Sequence, residues 1–303
     1  MIIRDKSNSF ALLFAWSGTI LPKVMPALMM VVFISTVLVY LSSHHYVKAP
    51  AVPAIGFTIF GVILSIFLSF RNTASYERWW EGRKLWGQLI ATSRHLARDS
   101  YVLPPAERQV LMYRVMLFSN LLKNRLRTQN EPIDFYHNKV NLSPADYQAL
   151  FGHINAAQFI LEQIQKDLVK ALHSGELSDI VYHGLNKHII SLGDIQAGCD
   201  RILTTPLPFS YSVLLHRTVY CFCFILPFSL EANLGIWTPI LVGLIAYLFL
   251  GLDALSEQLE EPFGLQDNDL PLSAMVRLIE REMLSALGEE LPPAIQAIKG
   301  NLT

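Results

Sequence analysis

The sequence is short of charged residues. Only 16% of its 303 residues are Asp, Glu, Lys or Arg, whereas soluble domains carry about 25%. Hydrophobic residues make up 52% of the chain, and the mean hydropathy is +0.34. This balance favours a membrane protein over a soluble one.

Other absences disfavour further classes of protein. The formal net charge is −1 and the basic residues are scattered, so nucleic acid is not an expected partner. Cys199, Cys221 and Cys223 are too few for a disulfide framework and fit no zinc spacing, which favours a packing role. There is no glycine-rich phosphate loop, no G-x-S-x-G and no H-E-x-x-H. We therefore predict no catalytic residue, no cofactor and no well-defined metal site.

Long apolar runs are the main feature that the sequence does contain. Residues 25–43 carry no charge and have about the 20 residues that a bilayer requires. A second run begins at Pro53 and ends at Trp80, with the apolar helix proper at 53–75. Two further runs lie at 212–230 and 239–259. The sequence therefore predicts an all-α membrane protein with four transmembrane helices.

Basic residues indicate the orientation of these helices. Arg4, Lys6 and Lys23 precede the first helix and Arg71 and other basic residues follow the second, whereas the link between them holds Lys48 alone. By the positive-inside rule both chain termini are then cytoplasmic. The predicted divisions are an N-terminal cytosolic or interfacial segment (1–24, amphipathic at 9–20), the first two transmembrane helices (25–80), a cytosolic helical bundle (81–205), the last two transmembrane helices (206–257) and a cytosolic C-terminal segment (258–303).

The charged region 81–205 has helical periodicity. The pattern predicts one helix continuing to Leu96 and others at 105–127, 144–172 and 177–203. Ser143 with Asp146 has the spacing of an N-terminal cap. A last amphipathic helix is predicted at 270–287.

The second transmembrane helix has two contrasting stripes. Val62, Ile66 and Phe70 recur at i, i+4 on one face, and Gly61, Ser65 and Ser69 do the same on the neighbouring face. Small residues allow close approach of helices in a bilayer. From the residues alone, the bulky stripe fits either packing against other helices or the lining of a pore.

Three motifs carry a resemblance to a known family. They are E-R-W-W at 77–80, L-P-F-S-Y at 207–211 and S-E-Q-L-E-E-P-F-G at 256–264. With them the chain resembles the bestrophin family, specifically its bacterial branch. The resemblance implies a homopentameric ion channel in the bacterial inner membrane, in which the second helix of each subunit lines a central pore.

The resemblance also implies roles for particular residues. The family's apolar neck matches Val62, Ile66 and Phe70, and a second, cytosolic constriction matches Ile180 in Ser178-Asp179-Ile180. The stripe of Gly61, Ser65 and Ser69 would then face a neighbouring subunit. Apolar rings of this kind gate by dewetting.

The chain departs from the animal bestrophins, which are calcium-activated anion channels. Glu261 replaces the asparagine of the N-P-F-G turn, and only two carboxylates follow, at Asp267 and Asp269. Together with Gln258 these carboxylates are expected to hold a cation only weakly, so calcium-independent currents are predicted.

The expected permeant ions are monovalent. The neck stripe holds no basic residue, and acidic vestibules favour cations such as sodium over chloride, which is the alternative. The acidic residues near the inner approach are Asp179, Asp253, Glu257, Glu260 and Glu261.

Two other classes of function stay open. A secondary transporter usually shows internal repeats or ionisable residues at the bilayer midplane, and neither is found in the sequence. A membrane-anchored sensor or scaffold would use the charged bundle to bind a partner. Electrical recording distinguishes both from a channel.

Overall fold

The computed structural model describes residues 1–2, 15–16, 18–46, 54–298 and 300–302. Within these residues the regular structure is helical, and extended backbone pairs only in isolated bridges at Ile2–Asn301 and Ile298–Asn301. This confirms the all-α prediction. The α-helices are α1 Leu21–Ser43, α2 Ala54–Asp99, α3 Pro105–Arg127, α4 Pro144–Gly152, α5 Ala156–His173, α6 Asp179–Thr204, α7 Phe209–Leu234, α8 Thr238–Glu260 and α9 Leu272–Leu287.

Some predicted features lie outside the described residues. They are Arg4, Lys6, most of the amphipathic segment at 9–20, Lys48 and Pro53.

Within the described residues, three helical stretches are long and apolar enough to cross a membrane. They are Leu21–Ser43, Ile55–Val102 and Phe209–Glu260. The third has 52 residues and contains α7 and α8, joined by the 3₁₀ turn Gly235–Trp237. Gly235 has φ = +50°, a left-handed value that glycine adopts without a Cβ penalty, and α7 ends there.

The helix α2 is continuous for 46 residues. The predicted continuation to Leu96 extends three residues further, to Asp99, and a 3₁₀ turn at Ser100–Val102 follows. Pro104 and Pro105 then prevent the same helix from continuing, because proline lacks the N–H that helical hydrogen bonding requires.

The prediction of a single helix at 144–172 is wrong, because the structure has two helices in this region. His153 has an extended backbone after α4, and the Asn155 side chain accepts a hydrogen bond from the Gln158 N–H, 3.1 Å away, to cap α5. The cap predicted at the start of α4 is confirmed, since the Asp146 N–H donates to Ser143 Oγ over 3.1 Å. The remaining helices begin or end within a few residues of their predicted bounds.

The chain forms two compact units. We call Trp80–Thr205 and Phe263–Thr303, with the first residues of the chain, the bundle unit, and Arg4–Trp79 with Pro206–Pro262 the apolar unit. In the bundle unit α3 packs against α5 and α9, and α5 packs against α6. Its largest fully buried side chains include Trp86, Tyr113 and Phe118.

In the apolar unit α1 packs against α7 and α8, which also pack against each other. The buried core includes Val31 of α1, Leu64 and Leu68 of α2, Phe222 of α7 and Ala246 of α8. Of the three cysteines, Cys199 and Cys223 are buried as expected for packing residues, but Cys221 is exposed on the single chain.

A polar contact fixes the segment that follows α9 within the bundle unit. The Glu289 carboxylate accepts hydrogen bonds from the Tyr113 hydroxyl and from Gln109 Nε2 at 2.9 Å. Lys139 Nζ lies 3.5 Å from the same carboxylate. The hydrogen bond from Tyr113 is the main reason that the pKa of Glu289 is lowered from 4.5. The charged form of Glu289 is therefore favoured in the folded protein.

We expect this contact to weaken in acid. A carboxyl group whose pKa is lowered on folding stabilises the folded form above its ordinary pKa, and this contribution disappears as the pH falls through the folded pKa. Glu289→Gln should therefore lower the Tm of the protein at neutral pH, and the Tm values of the two proteins should approach each other below the ordinary pKa of 4.5. Equal Tm values at neutral pH would contradict this expectation.

Candidate pore helix

The face of α2 that carries Val62, Ile66 and Phe70 is open on the single chain. These side chains are 56%, 50% and 63% exposed, respectively. The opposite face is closed, since Leu64 and Leu68 are almost fully buried. The helix therefore presents a continuous apolar stripe outward while its other side anchors it in the core.

The two edges beside this stripe differ in bulk. Successive helical residues are about 100° apart, so Phe67 lies on one side of Ile66 and Ser65 on the other. Phe60 and Ile63 share the edge of Phe67, and all three are exposed apolar side chains. We call these three residues the bulky edge.

The small stripe divides between two neighbours within the chain. A Cβ on Gly61 would lie 3.3 Å from Phe222 Cζ of α7, so Gly61 makes its close approach inside the subunit. Ser65 and Ser69 instead line a groove of about 280 Å³ between α2 and α8, whose apolar wall includes Leu248 and Leu252. We call Ser65, Ser69 and Asn72, which also lines the groove, the small edge.

An ion pair lies directly after the stripe. Arg71 and Asp253 are each only 4% exposed, and the Arg71 guanidinium donates a hydrogen bond to the Asp253 carboxylate. The second oxygen of Asp253 lies 2.7 Å from Nδ1 of His216 on α7. This cluster was not predicted from the sequence. The sequence does contain a signal for it, because Arg71 and Asp253 are charged residues in apolar runs, and such charges tend to pair with one another.

Other acidic residues of the predicted inner approach also have partners. Glu257 lies 2.9 Å from Lys23 Nζ, and Glu260 accepts a hydrogen bond from the Leu207 N–H at 3.1 Å. Together with Asp253, three of the five acids named from the sequence are thus engaged within the chain.

Ile180 lies in the first turn of α6 in the bundle unit. Its side chain is 85% exposed. Ser178 caps the helix, its hydroxyl oxygen accepting a hydrogen bond from the Val181 N–H over 3.4 Å. Asp179, beside it, is exposed as well.

The predicted weak cation site is divided between the two units. Gln258 belongs to the apolar unit, and Asp267 and Asp269 belong to the bundle unit. Asp267 accepts a hydrogen bond from Asn301 Nδ2 at 2.9 Å, and the buried Asp269 accepts one from the Gln266 N–H at 2.7 Å. In the part of the chain that the structure describes, no group of three or more His, Cys, Asp or Glu residues is placed to hold a metal ion.

Comparison with known proteins covers almost the whole chain. The profile of the family described as "Bacterial/Fungal Bestrophin protein" matches residues 1–285. A voltage-dependent anion channel-forming protein of Mesorhizobium japonicum is 37% identical over 301 residues, covering 99% of this chain and 96% of that protein. The voltage-dependent anion channel-forming protein YneE of Escherichia coli K12 is 37% identical over 299 residues, covering 97% and 96%.

Solved structures also resemble this chain. The crystal structure of a bacterial bestrophin homologue from Klebsiella pneumoniae superposes with a TM-score of 0.81 at 34% identity, covering 88% of this chain and 99% of that one. The names of the curated relatives describe channel-forming proteins rather than enzymes, in agreement with the lack of enzyme motifs. The resemblance carried by the three sequence motifs is confirmed. The chain therefore belongs to the bacterial and fungal bestrophin family.

Proposed function

We propose that this protein is the subunit of a membrane ion channel, with α2 of each copy lining one pore. The observation that carries the proposal is the open stripe of Val62, Ile66 and Phe70 opposite a buried face of the same helix. A single helix cannot enclose a pore, so several copies must contribute it. Three apolar rings in series would form a neck that conducts only when it is wide enough to stay wet. Membership of the bestrophin family supports this function.

We propose five copies around the pore, with neighbouring α2 helices in contact. In a ring, one edge of each α2 faces the opposite edge of the next. The bulky edge of Phe60, Ile63 and Phe67 would then meet the small edge of the next copy, where the groove of about 280 Å³ is lined by Ser65 and Ser69. Such pairing of large with small residues permits close packing in a bilayer.

The proposed topology has four spans and cytoplasmic termini. The spans are α1, the first part of α2, α7 and α8, since the break at Gly235 divides the longest apolar stretch in two. The apolar unit would lie in the bacterial inner membrane and the bundle unit in the cytoplasm. Ile180 would form the second constriction there, because it is an exposed apolar residue at a helix start.

The proposed permeant ions are monovalent cations such as sodium. The open stripe holds no basic residue, and the exposed Asp179 adjoins Ile180. The chloride alternative is favoured by the names of the relatives, which are anion channel-forming proteins. It is also favoured by the intrachain pairing of Asp253 with Arg71 and of Glu257 with Lys23.

The test is the reversal potential of purified protein in planar bilayers. In a tenfold sodium chloride gradient, the reversal potential of an ideally cation-selective channel lies about 59 mV on one side of zero. That of an ideally anion-selective channel lies the same distance on the other side. A steady current reversing on the cation side supports the proposal, and reversal on the anion side selects chloride. The absence of steady current would favour a transporter or a scaffold.

We expect these currents to be independent of calcium. Asp267 and Asp269 already accept hydrogen bonds from Asn301 and from the Gln266 N–H, so Gln258, Asp267 and Asp269 would hold a divalent cation weakly at most. Currents should be equal with calcium chelated and with calcium in excess, and Asp267→Asn should behave like the unchanged protein. Steep activation by calcium would contradict this expectation.

A further inference from the structure

The cluster of Arg71, Asp253 and His216 begins directly after the apolar stripe of α2. Transferring two charges out of water is costly, so a buried ion pair is a poor source of stability. Well-packed apolar residues of similar volume often stabilise a fold equally well or better. The presence of the pair is therefore better explained by what it positions.

The pair aligns two helices that run in the same direction. Arg71 contacts Asp253, and Arg78 Nε donates to the Glu260 carbonyl oxygen at 3.1 Å. Both contacts join residues 182 positions apart. The helices α2 and α8 thus keep one register over about two turns.

This register also sets the rotation of α2. Arg71 follows Phe70 directly, and about 100° separates their directions on the helix. Arg71 is buried on the same side as Leu64, Leu68 and Ser75. While Arg71 stays against Asp253, Phe70 must point away from the core, and so must Val62 and Ile66, which precede it on the same stripe.

His216 extends the contact to a third helix. Its Nδ1 lies 2.7 Å from Asp253 Oδ2, while the Arg71 guanidinium bonds the other carboxylate oxygen. Asp253 therefore joins α2 and α7 through its two oxygens. Glu260 adds a second carboxylate, 3.9 Å from Arg71 Nη2.

We propose that Arg71, Asp253 and His216 are positioning residues that set the rotation of α2 and thereby determine which side chains form the pore neck. This role rests on the proposed channel function. It differs from a purely structural role, because apolar replacement of the ion pair would preserve the fold and still change the neck.

The experiment replaces both charges and then maps the pore-facing side of α2. In a background without the three native cysteines, a cysteine is placed at Ser65, Ile66 or Phe67, and block of current by a charged thiol reagent is measured. With Arg71 and Asp253 intact, block should be greatest for Ile66→Cys. With Arg71→Met and Asp253→Leu together, the block should shift by one residue, to position 65 or 67.

Two further variants keep the test decisive if the doubly substituted protein fails to fold. His216 is half-exposed, so His216→Ala should fold and weaken the preference for block at position 66, whereas His216→Gln retains a donor for Asp253 and should restore it. Ser75→Ala with Ser256→Ala is the matched control. Both hydroxyls are buried in the described part of the chain without a hydrogen-bond partner, and the block should stay at position 66.

The outcomes separate this role from the channel function. If the unchanged protein conducts and block stays with Ile66→Cys in every folded Arg71, Asp253 or His216 variant, the positioning role is overturned and the channel function stands. If the unchanged protein carries no current, both are overturned.

Discussion

We expect Ile66→Ala to increase the unitary conductance of the proposed channel. Ile66 is the middle residue of the open stripe on α2, flanked by Val62 and Phe70 one turn away on either side. In the proposed ring each copy would contribute one such side chain, so truncation widens the constriction on all sides at once. A wider apolar ring stays wet more readily and presents a lower barrier to a hydrated ion. A barrier lower by about 1.4 kcal/mol would raise the rate of ion passage about tenfold.

Single-channel recording in bilayers measures this effect, and Ile63→Ala is its matched control. Ile63 is the same residue type on the same helix and has a similar exposure, but it lies on the bulky edge. Its truncation should leave unitary conductance near the original value and should instead weaken the oligomer. Unchanged or lower conductance of Ile66→Ala, or an equal rise in both variants, would argue against Ile66 as a neck residue.

Arg114→Met should strongly destabilise the bundle unit. The buried guanidinium donates to the carbonyl oxygens of Val140, Gln163 and Asn141 at 2.9, 3.1 and 3.2 Å. Asn141 itself has φ = +46°, so Arg114 holds a loop in a sparsely populated conformation. Hydrogen bonds to a charged donor contribute about 1.5–3 kcal/mol each, and with incomplete additivity the loss is about 3–5 kcal/mol.

Thermal unfolding of the purified protein measures this loss, which corresponds to a fall in Tm on the order of 10 °C. Asp167→Ala is the control, because Asp167 also contacts Arg114 but its side chain is 60% exposed. Removing this carboxylate leaves the three carbonyl contacts of Arg114 in place, and the lost charge lies largely in solvent, so this variant should lower Tm by less than Arg114→Met does. Similar Tm values for Arg114→Met and Asp167→Ala would show that the carbonyl contacts contribute little.

The local features of this fold were predictable from the sequence, whereas the long-range ones were not. Apolar length and charge at the helix ends located α1, α2, α7 and α8, because the bilayer requirement acts on consecutive residues. The break between α4 and α5 was missed, since Asn155 resembles any polar residue on an amphipathic helix until its side chain is seen to cap the next one. Val62, Ile66 and Phe70 could be placed on one face by helical periodicity, but periodicity does not say which face is buried.

Sequence patterns predict the contacts between distant segments even less well. Gly61 resembled a contact for another subunit, yet the nearby Phe222 ring belongs to the same chain. The pairing of Arg71 with Asp253 joins residues 182 positions apart, and no local pattern specifies such a partner.

That separation has a consequence for synthesis of the protein in the cell. At about 5–20 residues per second, Asp253 leaves the ribosome roughly ten to forty seconds after Arg71. During this interval the Arg71 guanidinium has no carboxylate beside it, and a charge without a partner is costly in the apolar part of a bilayer. In the proposed topology, the end of α2 that carries Arg71 would therefore remain near the lipid headgroups until α8 inserts. The helix proposed to line the pore would then be made early but reach its final depth only after α8 has been inserted.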